Sequence, residues 1–231
     1  MSYFIESLSA ATSLIINLDH DVYQVVSTSV LISLAASLIA AVLAIPAGVL
    51  FSLQHFRGKA IIQHLLNTLM AMPTVVIGLL LYGLFSRLGP LGNLGLLYTP
   101  SAIIIAETIL IFPIMMNLAI TAVSSADPRL IPTLISLGAK PIPLVIHIIR
   151  ATRLAMIAAI VTGFGRAIGE VGAAMMLGGN IAGLTRTMTT AIALETSKGE
   201  FELGLALGLL LLIIAFILNF MLSWLHRPSH D

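Results

Sequence analysis

The chain has 231 residues, of which 58% are hydrophobic and only 9% are charged, and its formal net charge is +1. Soluble domains carry about 25% charged residues, so the composition excludes an ordinary soluble domain. The absence of cysteine excludes disulfides and thiol chemistry, and the small net charge gives no indication of a nucleic-acid partner.

Long uncharged stretches predict an all-α integral membrane protein with about five transmembrane helices. A helix needs roughly 20 apolar residues to cross a hydrocarbon core of about 30 Å. Residues 1–21 lack the cationic start of a secretory signal, so they are predicted to form a short interfacial lead-in helix. Residues 1–231 are predicted to form a single transmembrane domain with spans over about residues 23–53, 60–85, 101–123, 152–176 and 203–225.

Lysine and arginine predict which side of the membrane each loop faces, because short cytoplasmic loops carry an excess of these residues. With the amino terminus placed outside, the inner side holds Arg57, Lys59, Arg129, Lys140, Arg150, Arg153 and Arg227. The outer side holds only Arg87, Arg186 and Lys198. Residues 124–151, between spans three and four, are therefore predicted to face the cytoplasm, together with the carboxy terminus.

The stretch "LISLGAKPIPLVIHIIRATR", residues 134–153, is too polar and too broken to be a span. Its longest apolar run, residues 141–149, has nine residues and includes Pro143 and His147. Pro132 and Pro141 suit helix starts, and Gly138 suits a helix end. We predict two short helices broken at "GAKP". From the residues alone, this segment could equally be an amphipathic element that anchors the loop to lipid head groups.

The same stretch resembles the cytoplasmic "EAA" loop of ABC-importer permeases. That motif places a glycine ten positions before an isoleucine, and Gly138 and Ile148 stand at this separation. The chain departs from the motif at three places. Ile131 and Pro132 stand near the position of the motif's glutamate, and Thr133 and Leu134 replace its alanines. Arg150 and Ala151 replace the final Leu-Pro of the motif. The missing glutamate puts the usual carboxylate contact in doubt but leaves an apolar docking face.

Other segments resemble the molybdate and tungstate permeases within that family. They are "GFGRAIGEVGAAMMLGGN", "LAIPAGVLF" and "AMPTVVIGLLLYG", and the segment "TRTMTTAIALETSKGEFELGLALG" is most similar to the tungstate members. The resemblance implies a type I ABC-importer permease fold, with a coupling helix between spans three and four. It also implies import of an oxyanion, tungstate or molybdate, by alternating access in the plasma (inner) membrane of a prokaryote.

The resemblance further implies the partners and the contact residues. The permease is expected to be a homodimer in membrane lipid, with two copies of an ATP-binding subunit and an extracytoplasmic oxyanion-binding protein. The coupling contact with the ATP-binding subunit is assigned to Pro132, Ile135, Leu137, Gly138, Ala139, Lys140 and Pro141.

The chain itself is predicted to be a non-catalytic transport subunit without a cofactor. Its Gly58–Lys59 pair is not a phosphate-binding loop, because Leu53 stands where that motif needs glycine and Ala60 where it needs Ser or Thr. ATP and Mg²⁺ are therefore expected on the partner subunit. The histidines are scattered and indicate no metal site.

Three charges lie within predicted spans: Glu107, Arg166 and Glu170. Such charges are functional candidates, since burying them is costly. Arg166 and Glu170 are four residues apart and are predicted to pair, either as a static ion pair or as one that shifts between transport states. Glu107 is predicted to reach toward the outer interface. An alternative function is a gradient-driven secondary transporter that uses Glu107 and Glu170 as protonatable sites.

The predicted outer segment, residues 178–190, contains hydrogen-bond donors and one cation. Asn180, Thr185, Arg186 and Thr187 suit contact with a passing oxyanion or with an extracytoplasmic binding protein. An ordinary solvated loop would have the same composition.

Overall fold

The structure, a computed structural model, describes residues 2–54 and 56–225, and these residues form helices and their connections. Met1, His55 and residues 226–231, with the Arg227 of the charge count, lie outside the described residues. The α-helices are α1 (Ser2–Ile16), α2 (His20–Leu53), α3 (Lys59–Met70), α4 (Thr74–Phe85), α5 (Pro100–Ser124), α6 (Leu130–Ser136), α7 (Pro141–Ala151), α8 (Arg153–Ile168), α9 (Gly172–Gly178), α10 (Met188–Lys198) and α11 (Phe201–Leu225). The fold is all-α, as the sequence predicted, and α1 lies in the predicted lead-in.

Among the described residues, three helices are long and apolar enough to cross a membrane alone: α2, α5 and α11. Two further spans arise if α3 with α4, and α7 with α8, each count as one bent span, with bends of 94° and 79°. The predicted second span, residues 60–85, is thus two helices, separated where Pro73 removes a backbone donor. The predicted fourth span, residues 152–176, is likewise interrupted, because α8 ends at Ile168 and α9 begins at Gly172.

Helices α2 and α5 pack side by side and form the centre of the fold. The buried alanines at positions 36, 40 and 44 of α2 leave little side-chain volume between the two helices. At Gly48, an added Cβ would lie 2.8 Å from the Cβ of Ala119 and 2.8 Å from the carbonyl oxygen of Met116. The two backbones therefore approach as closely as small residues allow, which is how membrane helices gain packing energy.

Helix α11 presents a different surface. Only 11% of its most apolar stretch is buried. Its exposed side chains are bulky and apolar: Leu212, Ile213, Phe216, Ile217 and Phe220. This is the surface expected of a helix that faces lipid tails.

Between α8 and α11 the chain forms a folded-back hairpin. Helix α9 runs away from the interruption after α8, the loop of residues 179–187 turns back, and α10 begins beside that interruption. The return is fixed by the Thr189 hydroxyl, which donates to the backbone carbonyl of Glu170 over 2.6 Å. The amide of Met188 also donates to the Ser29 hydroxyl of α2 over 2.6 Å. The start of α10 is therefore held inside the helix bundle.

Candidate functional site

The loop between α5 and α8 folds into two short helices with a sharp corner, as predicted, although α6 begins at Leu130 and not at Pro132. Gly138 adopts φ +79°, a left-handed conformation that favours glycine. Its amide donates to the carbonyl of Ile135 over 2.9 Å, and the Ala139 amide donates to that of Leu134 over 3.1 Å. Helix α7 then begins at Pro141, where a missing amide costs nothing.

The two faces of this loop have different surroundings. Ile131 and Leu134 pack against the main core, and Ile148 of α7 is fully buried in it. Ile135 and Leu137 point away, and Leu137 is 78% exposed. This leaves an apolar surface on the corner with no partner inside the described chain.

The other predicted coupling residues lie on or beside this corner. Pro132, Lys140 and Pro141 are exposed, and Ala139 is half-buried. Ile142, which the sequence reading did not include, is 75% exposed and extends the apolar surface onto α7. We call the side chains of Ile135, Leu137 and Ile142 the loop surface.

A cleft of about 710 Å³ opens between α5 and α8, next to the loop. Most of its walls are alanine, serine and threonine side chains, together with three leucines, and Asp127 and Arg153 lie at its loop end. The wall residues are Leu118, Thr121, Ala122 and Ser125 from α5 and its end, Leu130 from α6, and Leu154, Ala155, Ala158, Ala159 and Thr162 from α8.

Arg166 and Glu170 form an ion pair at the interruption after α8, with Arg166 Nη1 and Glu170 Oε2 3.0 Å apart. The other carboxylate oxygen, Oε1, accepts the amide of Ala173 over 3.1 Å at the start of α9. Glu170 is 3% exposed, whereas Arg166 is 40% exposed. Glu170 therefore joins α8 to α9 and holds the arginine, whose outer part remains accessible.

The prediction that Glu107 reaches toward the outer interface is wrong. Its side chain is 2% exposed and lies among the buried residues of α5. It is close enough to Arg166 and Glu170 for their charges to interact. Because α5 is apolar on all sides, its pattern could not indicate that position 107 faces the bundle.

The predicted outer residues have partners inside the fold. Thr185 is fully buried, and its hydroxyl donates to the carbonyl of Gly178 over 2.6 Å. Thr187 caps α10 and exchanges hydrogen bonds with Thr190. The Asn180 amide group donates to the carbonyl of Thr190 over 3.3 Å. These contacts shape the hairpin, and the role of these residues toward an anion stays a prediction.

Glu195 on α10 is a buried carboxylate that was not predicted from the sequence. It accepts two hydrogen bonds from Lys198, at 3.1 and 3.3 Å, and Arg186 lies 3.9 Å away. The spacing of Glu195 and Lys198, three residues apart, was the available signal. Arg186, which was predicted to contact an anion on the outer side, is therefore part of this network.

Comparisons with known proteins identify membrane proteins of transport systems as the relatives of this chain. The family model described as "Binding-protein-dependent transport system inner membrane component" matches residues 40–228. The chain is 40% identical over 219 residues to the tungstate uptake system permease protein TupB of Peptoclostridium acidaminophilum, covering 95% of this chain and 96% of that protein. It is 38% identical over 227 residues to TupB of Campylobacter jejuni, covering 98% and 95%. A chain of the MetNI methionine ABC transporter, solved in inward-facing conformations, superposes with a TM-score of 0.64 at 16% identity, covering 88% of this chain and 97% of that one, which shows a shared fold.

Proposed function

The chain belongs to the family of binding-protein-dependent transport system inner membrane components, and we propose that it carries an oxyanion, tungstate or molybdate, as the permease subunit of an ABC importer. It is a multi-pass inner-membrane protein and a transport subunit. The observation that carries the choice of substrate is the 40% identity, over 95% of the chain, to a tungstate uptake permease.

ATP hydrolysis is assigned to a separate ATP-binding subunit that holds ATP and Mg²⁺, with two copies per importer. The support is the loop surface, because exposed apolar side chains on a short helical corner suit a helix-in-groove contact. An extracytoplasmic oxyanion-binding protein is assigned to the outer side. The chain itself needs no cofactor for this role.

The functional permease is proposed to be a homodimer with its amino terminus outside and its carboxy terminus in the cytoplasm. Five crossings place the two termini on opposite sides, and the excess of cations between α5 and α8 favours a cytoplasmic loop. A central passage needs walls on every side, and five spans from one copy provide few. The exposed, small-residue face of α8 supports a passage shared by two copies.

The gradient-driven alternative has weaker support. Glu170 is engaged through both carboxylate oxygens, one with Arg166 and the other with the Ala173 amide. Glu107 is 2% exposed, so its carboxylate is shielded from solvent. Membership of a binding-protein-dependent family also favours an ATP-driven mechanism.

Uptake measurements test the proposal. Cells expressing the importer should accumulate labelled tungstate, with unlabelled molybdate competing more strongly than sulfate, and ATP depletion should stop uptake. The variant Gly138→Trp should lose co-purification with the ATP-binding subunit, because it adds bulk beside the loop surface. Uptake that survives ATP depletion but collapses with the proton gradient would support the secondary transporter instead.

A further inference from the structure

The exposed face of α8 is unlike a lipid-facing surface. Ala155, Thr162, Arg166 and Gly169 are separated by seven, four and three residues, and Gly165 comes three residues after Thr162, so all five lie on one side of the helix. Thr162 is half-buried and the other four are exposed. A face of small residues and one guanidinium does not match lipid tails, which α11 meets with leucine, isoleucine and phenylalanine.

The cleft runs along this same face. Its α8 wall consists of Arg153 and Leu154 at the loop end, followed by Ala155, Ala158, Ala159 and Thr162. Arg166 comes one turn after Thr162. At 1.5 Å per residue, Arg166 lies about 20 Å along the axis from Arg153, the first residue of α8. Between Leu154 and Arg166, the α8 residues that line this route are Ala155, Ala158, Ala159 and Thr162, and all four have small side chains.

Arg166 has donors to spare. A guanidinium carries five N–H donors, and its hydrogen bond within the described chain is the one from Nη1 to Glu170 Oε2. Its neighbours Gly165 and Gly169 carry no side chain and are exposed, and a Cβ at either would make only ordinary contact, at 3.7 Å, with Leu218 or with the Gly165 carbonyl. The surface beside the guanidinium is therefore not blocked by side chains of α8.

Two carboxylates lie near Arg166: Glu107, which is buried on α5, and Glu170, whose own donors partly balance its charge. One of its oxygens meets Arg166 and the other meets the Ala173 amide, so both face protein donors. Neighbouring donors are also occupied: the Met188 amide at the start of α10 donates to Ser29, and the Thr187 amide donates to Thr190. Among these groups, the outer part of the Arg166 guanidinium is the accessible donor.

We propose that Arg166 contacts the transported oxyanion on the exposed face of α8, with Glu170 as the positioning residue that holds the guanidinium toward the passage. The ligand class is a tetrahedral dianion such as tungstate, which a planar guanidinium can bind through two parallel hydrogen bonds. This inference rests on the proposed function and adds the residue that recognises the substrate within the membrane.

The test compares Arg166→Lys with the matched control Arg87→Lys, which changes an exposed arginine in the loop after α4. Lysine keeps the charge but loses the paired donors, so Arg166→Lys should lower labelled tungstate uptake about tenfold or more. The control should transport normally. Both variants should be present in the membrane and co-purify with the ATP-binding subunit at wild-type levels, which separates recognition from folding.

A second measurement covers the case in which Arg166→Lys does not assemble. Because the chain has no cysteine, Thr162→Cys introduces a single thiol on the α8 face, and Phe216→Cys introduces one on the lipid-facing side of α11. A sulfonate-bearing thiol reagent should label Thr162→Cys and not Phe216→Cys, and excess tungstate should slow the labelling.

The outcomes are separable. An assembled Arg166→Lys importer with near-normal uptake overturns the inference, as does a Thr162→Cys thiol that tungstate does not protect. A wild-type importer that takes up neither tungstate nor molybdate overturns the proposed function instead, whatever the variants do.

Discussion

Gly138 offers a substitution series whose effect can be worked out from its backbone alone. Its φ of +79° is left-handed, and a Cβ there would meet no atom within 4 Å. The change Gly138→Ala therefore introduces no clash and costs only torsional strain, about 1–2 kcal/mol for an L-residue in this region. Because 1.4 kcal/mol is a factor of ten, the correctly folded corner should become about five- to thirtyfold less favoured.

Two further substitutions at Gly138 should have larger and smaller effects than alanine. Gly138→Val should be worse, since a β-branched residue with positive φ is a true outlier. Gly138→Asn should be close to wild type, because asparagine tolerates the left-handed conformation at helix ends. Asparagine is larger than alanine, so the order separates backbone strain from side-chain size.

The assay is ATP hydrolysis by the purified importer in proteoliposomes, stimulated by the loaded binding protein, with co-purification of the ATP-binding subunit alongside. The expected order of activity is glycine, asparagine, alanine, valine. Equal activity for glycine and alanine, or an asparagine variant as impaired as the alanine variant, would refute the reasoning that this corner must be left-handed for coupling.

Two further predictions concern the scaffold. Gly48→Ala should destabilise the purified protein by about 1–3 kcal/mol, because the added Cβ must push α2 away from α5. The control Gly208→Ala, whose Cβ would meet no atom within 4 Å, should be neutral or slightly stabilising. Thermal unfolding in detergent measures both variants, and equal melting temperatures would contradict the close approach of α2 and α5. Thr187→Ala should lower the free energy of unfolding by about 1 kcal/mol, because it removes the side chain that caps α10. Thr187→Ser is the control that keeps the hydroxyl. Faster hydrogen exchange in the first turn of α10 is expected for the alanine variant and not for the serine variant.

The parts of the fold that the sequence predicted are those with local signals. Gly138 and Pro141 mark the corner between α6 and α7 through backbone conformation, which neighbours along the chain determine. The bend between α3 and α4 was not predicted, since residues 60–85 were expected to form one span, although Pro73 was an available local signal. The size of the bend, 94°, depends on packing against α5 and α9.

The missed features depend on contacts between distant residues. Glu107 stands on a helix that is apolar all round, so periodicity could not show which side faces the bundle. The interruption after α8 is stabilised by Thr189, whose hydroxyl meets the Glu170 carbonyl from 19 residues away. No pattern within α8 or α9 indicates that the chain returns to this point.

Helix α8 connects the two proposed sites, and its sequence suggests how force passes between them. Its amino-terminal end joins α7 at the 79° corner, and Arg166 lies near its carboxy-terminal end. The first ten residues, 153–162, contain neither glycine nor proline, whereas glycines stand at 163, 165 and 169. A glycine-free helix transmits a displacement better than a glycine-rich one, because glycine leaves the backbone freer to bend.

A pull on the loop should therefore move the cleft wall of α8 as one piece, with bending concentrated near residues 163–169. The carboxy-terminal end of α8 is held by Glu170, which contacts Arg166, Ala173 and Thr189 at once. Because the ion pair with Glu170 ties the Arg166 guanidinium to this fixed end, the guanidinium should move less than residues 153–162 while the cleft widens or narrows. We expect a substrate contact at such a point to persist through both transport states, which is what alternating access around a fixed site requires.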